Sequence, residues 1–163
     1  MTGRPAARAL SIALLLAQGC SSGYQRAYDR ETQKLQAEQQ ALDAKDTAEH
    51  AQASRFAAVV YFDVGSTVVG KDGERELQWF VDKMQPYPKA VILVQGFADS
   101  TGSEGKNKTL SEDRARAVAT VLGAKGIDAS RIMTQGYGTE SPAAANASAK
   151  GRGRNRRVEV TVR

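Results

Sequence analysis

The chain has 163 residues and a net charge of +5, which is enough for one compact domain with appendages. It contains one cysteine and one histidine, which excludes an intrachain disulfide framework, a multi-cysteine zinc site and a histidine cluster. Its apolar runs are shorter than the roughly 20 residues of a membrane-spanning helix, so a multi-span membrane protein is also excluded. We expect neither a metal nor a cofactor.

The first residues have the pattern of an export signal. Arg4 and Arg8 flank the start of a nine-residue apolar block at 9–17, which is too short to span a bilayer but typical of a signal peptide. The block leads to a small residue followed by Cys20, which resembles the lipobox of bacterial lipoproteins. The resemblance implies a signal peptide at 1–19 and fatty acyl chains, such as palmitate, on Cys20. The alternative is a hydrophobic N-terminal helix with a buried cysteine.

The residue after the cysteine bears on where such a lipoprotein is delivered. By resemblance to sorted lipoproteins, Ser21 favours the outer membrane, whereas an aspartate there would favour retention in the inner membrane. Three acyl chains would anchor the protein firmly, because each buried CH₂ contributes about 0.8 kcal/mol. We therefore expect a lipid-anchored outer-membrane protein whose domain faces the periplasm.

A polar segment separates this leader from the domain. Residues 24–55 contain neither Gly nor Pro and are rich in helix-forming residues. Tyr28, Leu35 and Leu42 recur at seven-residue spacing, but this stripe is too thin to be buried against a core. The sequence predicts a helical or flexible tether at 20–56, with a weak self-associating coil as the alternative.

The first half of the domain alternates strand and helix. The apolar run at 57–62 predicts a buried strand, and the segment 72–84 predicts an amphipathic helix. The core face of this helix is expected to carry Leu77, Phe80, Val81 and Met84. A second strand follows at 90–96 and is too apolar along its length to have a solvated face.

The second half of the domain begins with a longer helix. Either Ser103 or Ser111 can cap it, it should end near Ala124, and its core stripe is predicted to hold Leu110, Val118, Val121 and Leu122. A third strand is predicted at 131–137, an Ala- and Gly-rich loop at 142–154, and a half-exposed strand at 157–162. The predicted order is β-α-β-α-β-β. Because no helix is predicted before the last strand, that strand should run antiparallel to its neighbours.

Three ordered motifs lie within this domain. They are G-x-x-D-x-x-G at 96–102, N-x-x-L-S-x-x-R-A at 107–115 and N-R-R-V-E at 155–159. Together they resemble the OmpA-like peptidoglycan-binding domain over residues 57–163, and the lipobox and tether extend the resemblance to the peptidoglycan-associated lipoprotein arrangement. The resemblance implies an α+β sandwich in which a mixed four-stranded sheet, ordered β1-β4-β2-β3, carries its helices on one face.

The resemblance also implies a ligand, the meso-diaminopimelate of the peptidoglycan stem peptide. The free end of this amino acid carries an ammonium and a carboxylate on one carbon, so its receptor needs an anion and a planar cation close together. Asp99 ends a strand and can accept the ammonium, while Arg114 can grip the carboxylate with a bidentate fork. Asn107 lies about two helical turns before Arg114 and can reach the same ligand end. The resemblance adds supporting roles for Thr101 and Arg156, and places Phe62 and Asp63 in the pocket lining.

Two residues depart from the family pattern, and two readings of the charged residues stay open. Phe97 stands where the family often has His, and Ala98 where Thr is common, so the packing and hydration around the pocket could differ. Taken singly, an Asp that ends a strand is more often a turn residue, and an Arg on a helix face is more often solvated. Asp99 and Arg114 could also pair with each other when no ligand is bound.

The predicted function is that of an outer-membrane lipoprotein that binds peptidoglycan non-covalently and anchors the outer membrane to the cell wall. The protein is not expected to be an enzyme, because His50 lies in the tether and Cys20 should be acylated, which leaves no nucleophile with a base. The basic run at 150–157 could bind phosphates, but no aromatic residue interleaves it and an exported lipoprotein meets no nucleic acid. The open alternative is a structural envelope scaffold whose domain binds protein partners.

Overall fold

The computed structural model describes residues 22–163. Three predictions lie outside the described residues, namely the signal peptide at 1–19, the lipidation of Cys20 and the sorting role of Ser21. The chain divides into two units, with the division between Asp46 and Thr47. In the part of the chain that is described, no helix has the length and apolar content needed to cross a membrane.

The polar segment before the domain is a helix. Helix α1 spans Ser22–Ala53, which confirms the helical form of the predicted tether. Its apolar stripe stays at the surface, since Leu35 is 54% exposed and Leu42 is 57% exposed. A hydrogen bond of 2.8 Å from Gln39 Nε2 to Asp43 Oδ1, one turn apart, is typical of a solvated helix held by its own side chains. Self-association of this helix stays a prediction.

The second unit is built on a four-stranded sheet with helices between its strands. The strands are β1 (Ala58–Tyr61), β2 (Ile92–Gly96), β3 (Ile132–Gly136) and β4 (Arg157–Val162). The helices are α2 (Lys71–Met84), α3 (Glu104–Ala124) and α4 (Ala149–Asn155), with a 3₁₀ turn at Ala129–Arg131. The predicted strands and the two longer helices are therefore present.

The sheet order is β1-β4-β2-β3, as the family resemblance implied. β2 and β3 pair in parallel, while β4 runs antiparallel to both β1 and β2. Val160 of β4 lies between Ala58 of β1 and Val94 of β2, so three small or branched apolar side chains meet across the sheet centre. The predicted antiparallel direction of the last strand is confirmed.

One face of the sheet forms the core with α2 and α3. The predicted core face of α2 is buried in full, and α3 adds three fully buried apolar residues, Ala115, Val118 and Leu122. Leu110 and Val121, which the sequence also assigned to that stripe, are only half-buried. Burial of each large apolar side chain contributes about 1.5–3 kcal/mol. The sandwich of helices on one face of a mixed sheet is therefore as predicted.

The other face of the sheet is partly open to solvent. Val59, Tyr61 and Met133 are exposed on it, while Leu93 and Gln95 of β2 are half-buried. The prediction that β2 lacks a solvated face is wrong. Its apolar sequence reflects a position between two neighbouring strands rather than a layer of helices on both sides.

The segment predicted as a loop at 142–154 ends in helix α4. Ser148 caps this helix, since its side chain accepts a hydrogen bond of 3.0 Å from the amide of Gly151. A Cβ on Gly151 would collide with the carbonyl oxygen of Ala145, so the glycine is needed for close packing rather than for flexibility. Two glycines in seven residues lower the helix propensity, and tertiary contacts override it. The prediction that no helix precedes the last strand is therefore wrong.

Helix α3 positions the polar residues discussed below. It begins after Ser103 and ends at Ala124, which confirms the predicted end. Ser103 occupies the cap position, but its side chain makes no capping hydrogen bond, so the prediction that a serine side chain caps this helix is wrong. Asn107, Ser111 and Arg114 share its buried face at a spacing of one and two turns. The N-terminal half of α3 therefore turns polar side chains inward.

A candidate ligand site at the carboxyl end of β2

Four segments meet at one end of the sheet. They are the residues after β1 (62–66), the loop after β2 (97–102), the N-terminal half of α3, and Arg156 just before β4. Hydrogen bonds or a ring contact join all of the predicted ligand-binding residues, which are Phe62, Asp63, Asp99, Thr101, Asn107, Arg114 and Arg156. The motifs that lie far apart in the sequence are thus brought to a single place.

The Asp99 carboxylate is almost buried and is held on both oxygens. Asp99 is 6% exposed; its Oδ1 accepts a hydrogen bond of 2.8 Å from the Thr101 amide, and its Oδ2 accepts one of 3.0 Å from Arg156 Nη1. Burial by itself raises the pKa of Asp99, but the hydrogen bonds from Thr101 and Arg156 outweigh it and the pKa is lowered below its ordinary 3.8. Asp99 is therefore a fixed negative charge at neutral pH.

The loop that carries Asp99 is held by its last glycine and by α3. Gly102 has φ of +97°, in the left-handed region that favours glycine. Asn107 Nδ2 donates to the carbonyl oxygens of Asp99 and Thr101, at 3.2 and 3.1 Å. The amide expected to contact the ligand thus supports the loop.

Arg156 is the counter-ion of Asp99. Its Nε also donates to the Phe62 carbonyl oxygen at 3.0 Å, so this one side chain connects the end of β1 with Asp99. The Arg156 side chain is 17% exposed. The open alternative in which Asp99 pairs directly with Arg114 is not the arrangement found, because Arg156 takes that place.

The Arg114 guanidinium is fully buried, with 0% exposure. Its Nε, Nη2 and Nη1 donate to the carbonyl oxygens of Ser66, Asp63 and Phe97 at 2.9, 3.0 and 3.2 Å. It also lies over the Phe62 ring, 5.2 Å from the centroid. Arg114 therefore ties the loop after β1 to the end of β2.

Burial and the neighbouring positive charge of Arg156 lower the pKa of Arg114 to about 10, and Asp99 opposes this shift. The guanidinium is still protonated at pH 7. One buried carboxylate and two guanidinium groups are thus joined by hydrogen bonds and by the contact of Arg114 with the Phe62 ring. The charge of Asp99 acts on Arg114, so the two residues lie on the same side of the molecule, as the hypothesis requires.

Sequence reasoning missed a pair of asparagines beside this network. Asn155 is fully buried; its side chain donates to the Ala144 carbonyl and to Asn146 Oδ1 and accepts from the Ala144 amide, all within 2.8–2.9 Å. Asn146 Oδ1 in turn accepts from the Ser100 amide at 3.2 Å. Asn155 opens the N-R-R-V-E motif, which was a signal for it, whereas nothing in the sequence marked Asn146.

Within residues 22–163, no group of three or more His, Cys, Asp or Glu side chains is placed to hold a metal ion. The donors around Asp99 are guanidinium and amide groups, which suit a charged organic ligand rather than a metal cation. The arrangement can hold a group that carries both a positive and a negative charge.

This fold and these motifs define a known class. The sequence model of the OmpA family matches residues 61–156, more than half of the chain, and the chain belongs to the OmpA family. The fold class and the resemblance drawn from the motifs are confirmed.

Two curated relatives and one solved structure show how far the likeness extends. The chain is 43% identical to "Probable lipoprotein YiaD" of Escherichia coli over 103 residues, covering 63% of this chain and 47% of that protein. It is 39% identical to the peptidoglycan-binding protein ArfA of Mycobacterium bovis over 104 residues, covering 64% of this chain and 32% of that protein. The chain thus spans less than half the length of these relatives.

The solved structure is that of the peptidoglycan-associated lipoprotein from Burkholderia pseudomallei. It is similar to this chain with a TM-score of 0.62 at 28% identity, covering 65% of this chain and 90% of that one. The likeness thus covers nearly all of that chain.

Proposed function

We propose that the domain binds peptidoglycan non-covalently through the diaminopimelate of the stem peptide, and that the protein is a non-enzymatic outer-membrane lipoprotein anchoring the membrane to the wall. The observation that carries this proposal is the Asp99 carboxylate, ionised and nearly buried, which is paired with Arg156 and lies within electrostatic reach of Arg114. A fixed anion beside planar cations complements a zwitterionic amino-acid end.

The ligand ammonium would replace Arg156 at Asp99. In the free protein Arg156 Nη1 occupies Oδ2, at 3.0 Å, and thereby neutralises the carboxylate. An ammonium that takes this position frees a guanidinium edge of Arg156 for the ligand carboxylate, so each charge keeps a partner throughout. This exchange avoids an unpaired buried charge, which would be costly.

Arg114 would contact the carboxylate of the ligand from a deeper position in the site. Three of its five N–H groups donate to carbonyls of the described chain, which leaves two for a ligand. Because the guanidinium is fully buried, direct contact requires the loop at 63–66 to shift. We therefore expect the more exposed Arg156 to make the first contact and Arg114 to complete the fork.

The relatives support the wall ligand. One curated relative is named a peptidoglycan-binding protein and a solved neighbour is named a peptidoglycan-associated lipoprotein. The leader with Cys20 and Ser21 supports the lipid anchor.

The test is co-sedimentation of the purified full chain, in detergent, with sacculi. The wild type should sediment and meso-diaminopimelate should compete for the site. 1,5-Diaminopentane, which has the ammonium groups but no carboxylate, should not compete. Asp99→Asn should remove binding, while Asp72→Asn, at a side chain that is 93% exposed on α2, should leave it intact. Undiminished binding by a folded Asp99→Asn protein would reject the site, and capture of envelope proteins without sacculi would favour the scaffold alternative.

A further inference from the structure

Three side chains form a stack immediately beside the ligand site. The Phe97 ring lies 5.3 Å from the Tyr137 ring with the planes inclined by 12°, and the Arg157 guanidinium carbon lies 4.0 Å from the Phe97 centroid. The Phe97 ring therefore contacts both an aromatic ring and a cation. These three residues are called the stack below.

We propose that Phe97 is a positioning residue for the ligand site, clamped by Tyr137 and Arg157 so that its backbone holds Arg114 and aims Asp99. The inference rests on the proposed function, since it concerns the same site. It gives a role to the departure from the family pattern at 97 and to the second arginine of the N-R-R-V-E motif.

The backbone of Phe97 is fixed on both sides. Its amide donates to the Arg157 carbonyl oxygen at 2.8 Å, and its own carbonyl oxygen accepts from Arg114 Nη1 at 3.2 Å. The next residue, Ala98, donates to the Gly138 carbonyl oxygen at 2.6 Å, directly after Tyr137. The clamp that holds the ring thus also defines where the Arg114 acceptor lies.

Arg157 is oriented for the ring. It is buried, its Nε donates to Glu159 Oε1 at 2.6 Å and its Nη2 to the Ser141 carbonyl oxygen at 3.2 Å. Its Nη1 is buried without a hydrogen-bond partner in the described chain. The bonds to Glu159 and Ser141 fix the guanidinium where its carbon lies over the Phe97 ring.

Tyr137 completes the clamp. The Tyr137 hydroxyl accepts a hydrogen bond of 3.0 Å from Gln95 Nε2, and the Tyr137 backbone amide donates to the Gly96 carbonyl oxygen at 2.8 Å. The ring and the hydroxyl can be separated experimentally. Tyr137→Phe keeps the stack and loses the hydrogen bond, whereas Tyr137→Leu loses the stack as well.

The experiment measures Arg114 directly and the ligand separately. Hydrogen exchange of the Arg114 Nε–H is followed by NMR in the full chain, with the resonance assigned by its absence in Arg114→Lys, and sacculus affinity is measured in parallel. Tyr137→Leu should raise the exchange rate about tenfold and weaken sacculus affinity about tenfold. Circular dichroism should show that this variant keeps its fold. Tyr137→Phe should stay within about twofold of the wild type in both exchange rate and affinity.

A second variant guards against misfolding. Arg157→Met keeps the length and apolar packing of the side chain but removes the cation over Phe97, and should reproduce the effect of Tyr137→Leu. If both Tyr137→Leu and Arg157→Met fold and the exchange of the Arg114 Nε–H is unchanged, the proposal is overturned. It is also overturned if neither variant folds, because the stack would then serve the stability of the domain. An effect of Tyr137→Phe as large as that of Tyr137→Leu would also overturn it. If the variants exchange the Arg114 Nε–H faster but the wild type does not bind sacculi, the clamp is upheld and the proposed function is rejected.

Discussion

Helices α1 and α3 both have a weak apolar stripe, but for opposite reasons. Almost no side chain of α1 is buried, and its apolar residues Leu35 and Leu42 lie at the surface. The stripe of α3 is weak because Asn107, Ser111 and Arg114 occupy the first half of its buried face. A low amphipathicity therefore has two meanings, and only buried polar groups with defined partners point to a site.

Among substitutions that test this comparison, the largest loss of stability is expected for Arg114. Arg114→Met leaves three backbone carbonyls without their donor, so we expect a loss of about 3–5 kcal/mol in the free energy of unfolding, measured by urea denaturation. Arg116→Met, on the exposed side of the same helix, should change stability by less than about 1 kcal/mol. Similar losses in both would show that burial of Arg114 has no energetic weight.

The apolar parts of the two helices should differ as well. Leu122→Ala opens a cavity in the core and should lower the unfolding free energy by about 2–5 kcal/mol. Leu35→Ala removes an exposed side chain and should change it by about 0.5 kcal/mol or less. Thermal unfolding followed by circular dichroism measures both, and a marked loss at Leu35 would reveal that α1 packs against a partner, as the self-association alternative requires.

A smaller effect is expected at Asn155. Asn155→Ala removes the buried amide that holds Ala144 and Asn146, and should cost about 1–3 kcal/mol in stability. Because Asn146 holds the Ser100 amide, sacculus affinity should fall as well. Lys150→Ala, an exposed change on the same short helix, is the control, and equal affinities of the two variants would exclude a link between α4 and the ligand loop.

The smallest effect concerns pH. The pKa of Asp99 is lowered, so its ionisation contributes stability that is present above pH 3.8 and is lost as the pH falls through the lowered value. The wild type should therefore lose more stability than Asp99→Asn between pH 5 and pH 2, two values that bracket the ordinary aspartate pKa of 3.8. Parallel losses in the two proteins would contradict an ionised, hydrogen-bonded Asp99.

Local patterns predicted much of this molecule. The spacing of Leu77, Phe80, Val81 and Met84 identified the buried face of α2, and the ordered motifs identified residues that the structure joins in one network. Periodicity could not show that Arg156 rather than Arg114 pairs with Asp99, since that depends on where β4 enters the sheet. It also missed α4, because Gly151 weakens the helix signal in the sequence. The glycine is required there by its close packing against Ala145, which periodicity cannot show.

The central claim is that Asp99 and its guanidinium partners recognise a zwitterionic amino-acid end. Isothermal titration calorimetry with meso-diaminopimelate and the full chain tests this claim most directly. The wild type, Asp99→Asn and Arg156→Gln are compared in the same buffer. We predict binding to the wild type, a loss of about 2–5 kcal/mol of binding free energy in Asp99→Asn and a clear weakening in Arg156→Gln. Equal affinity of the wild type and a folded Asp99→Asn protein, or no binding by the wild type, would contradict the claim.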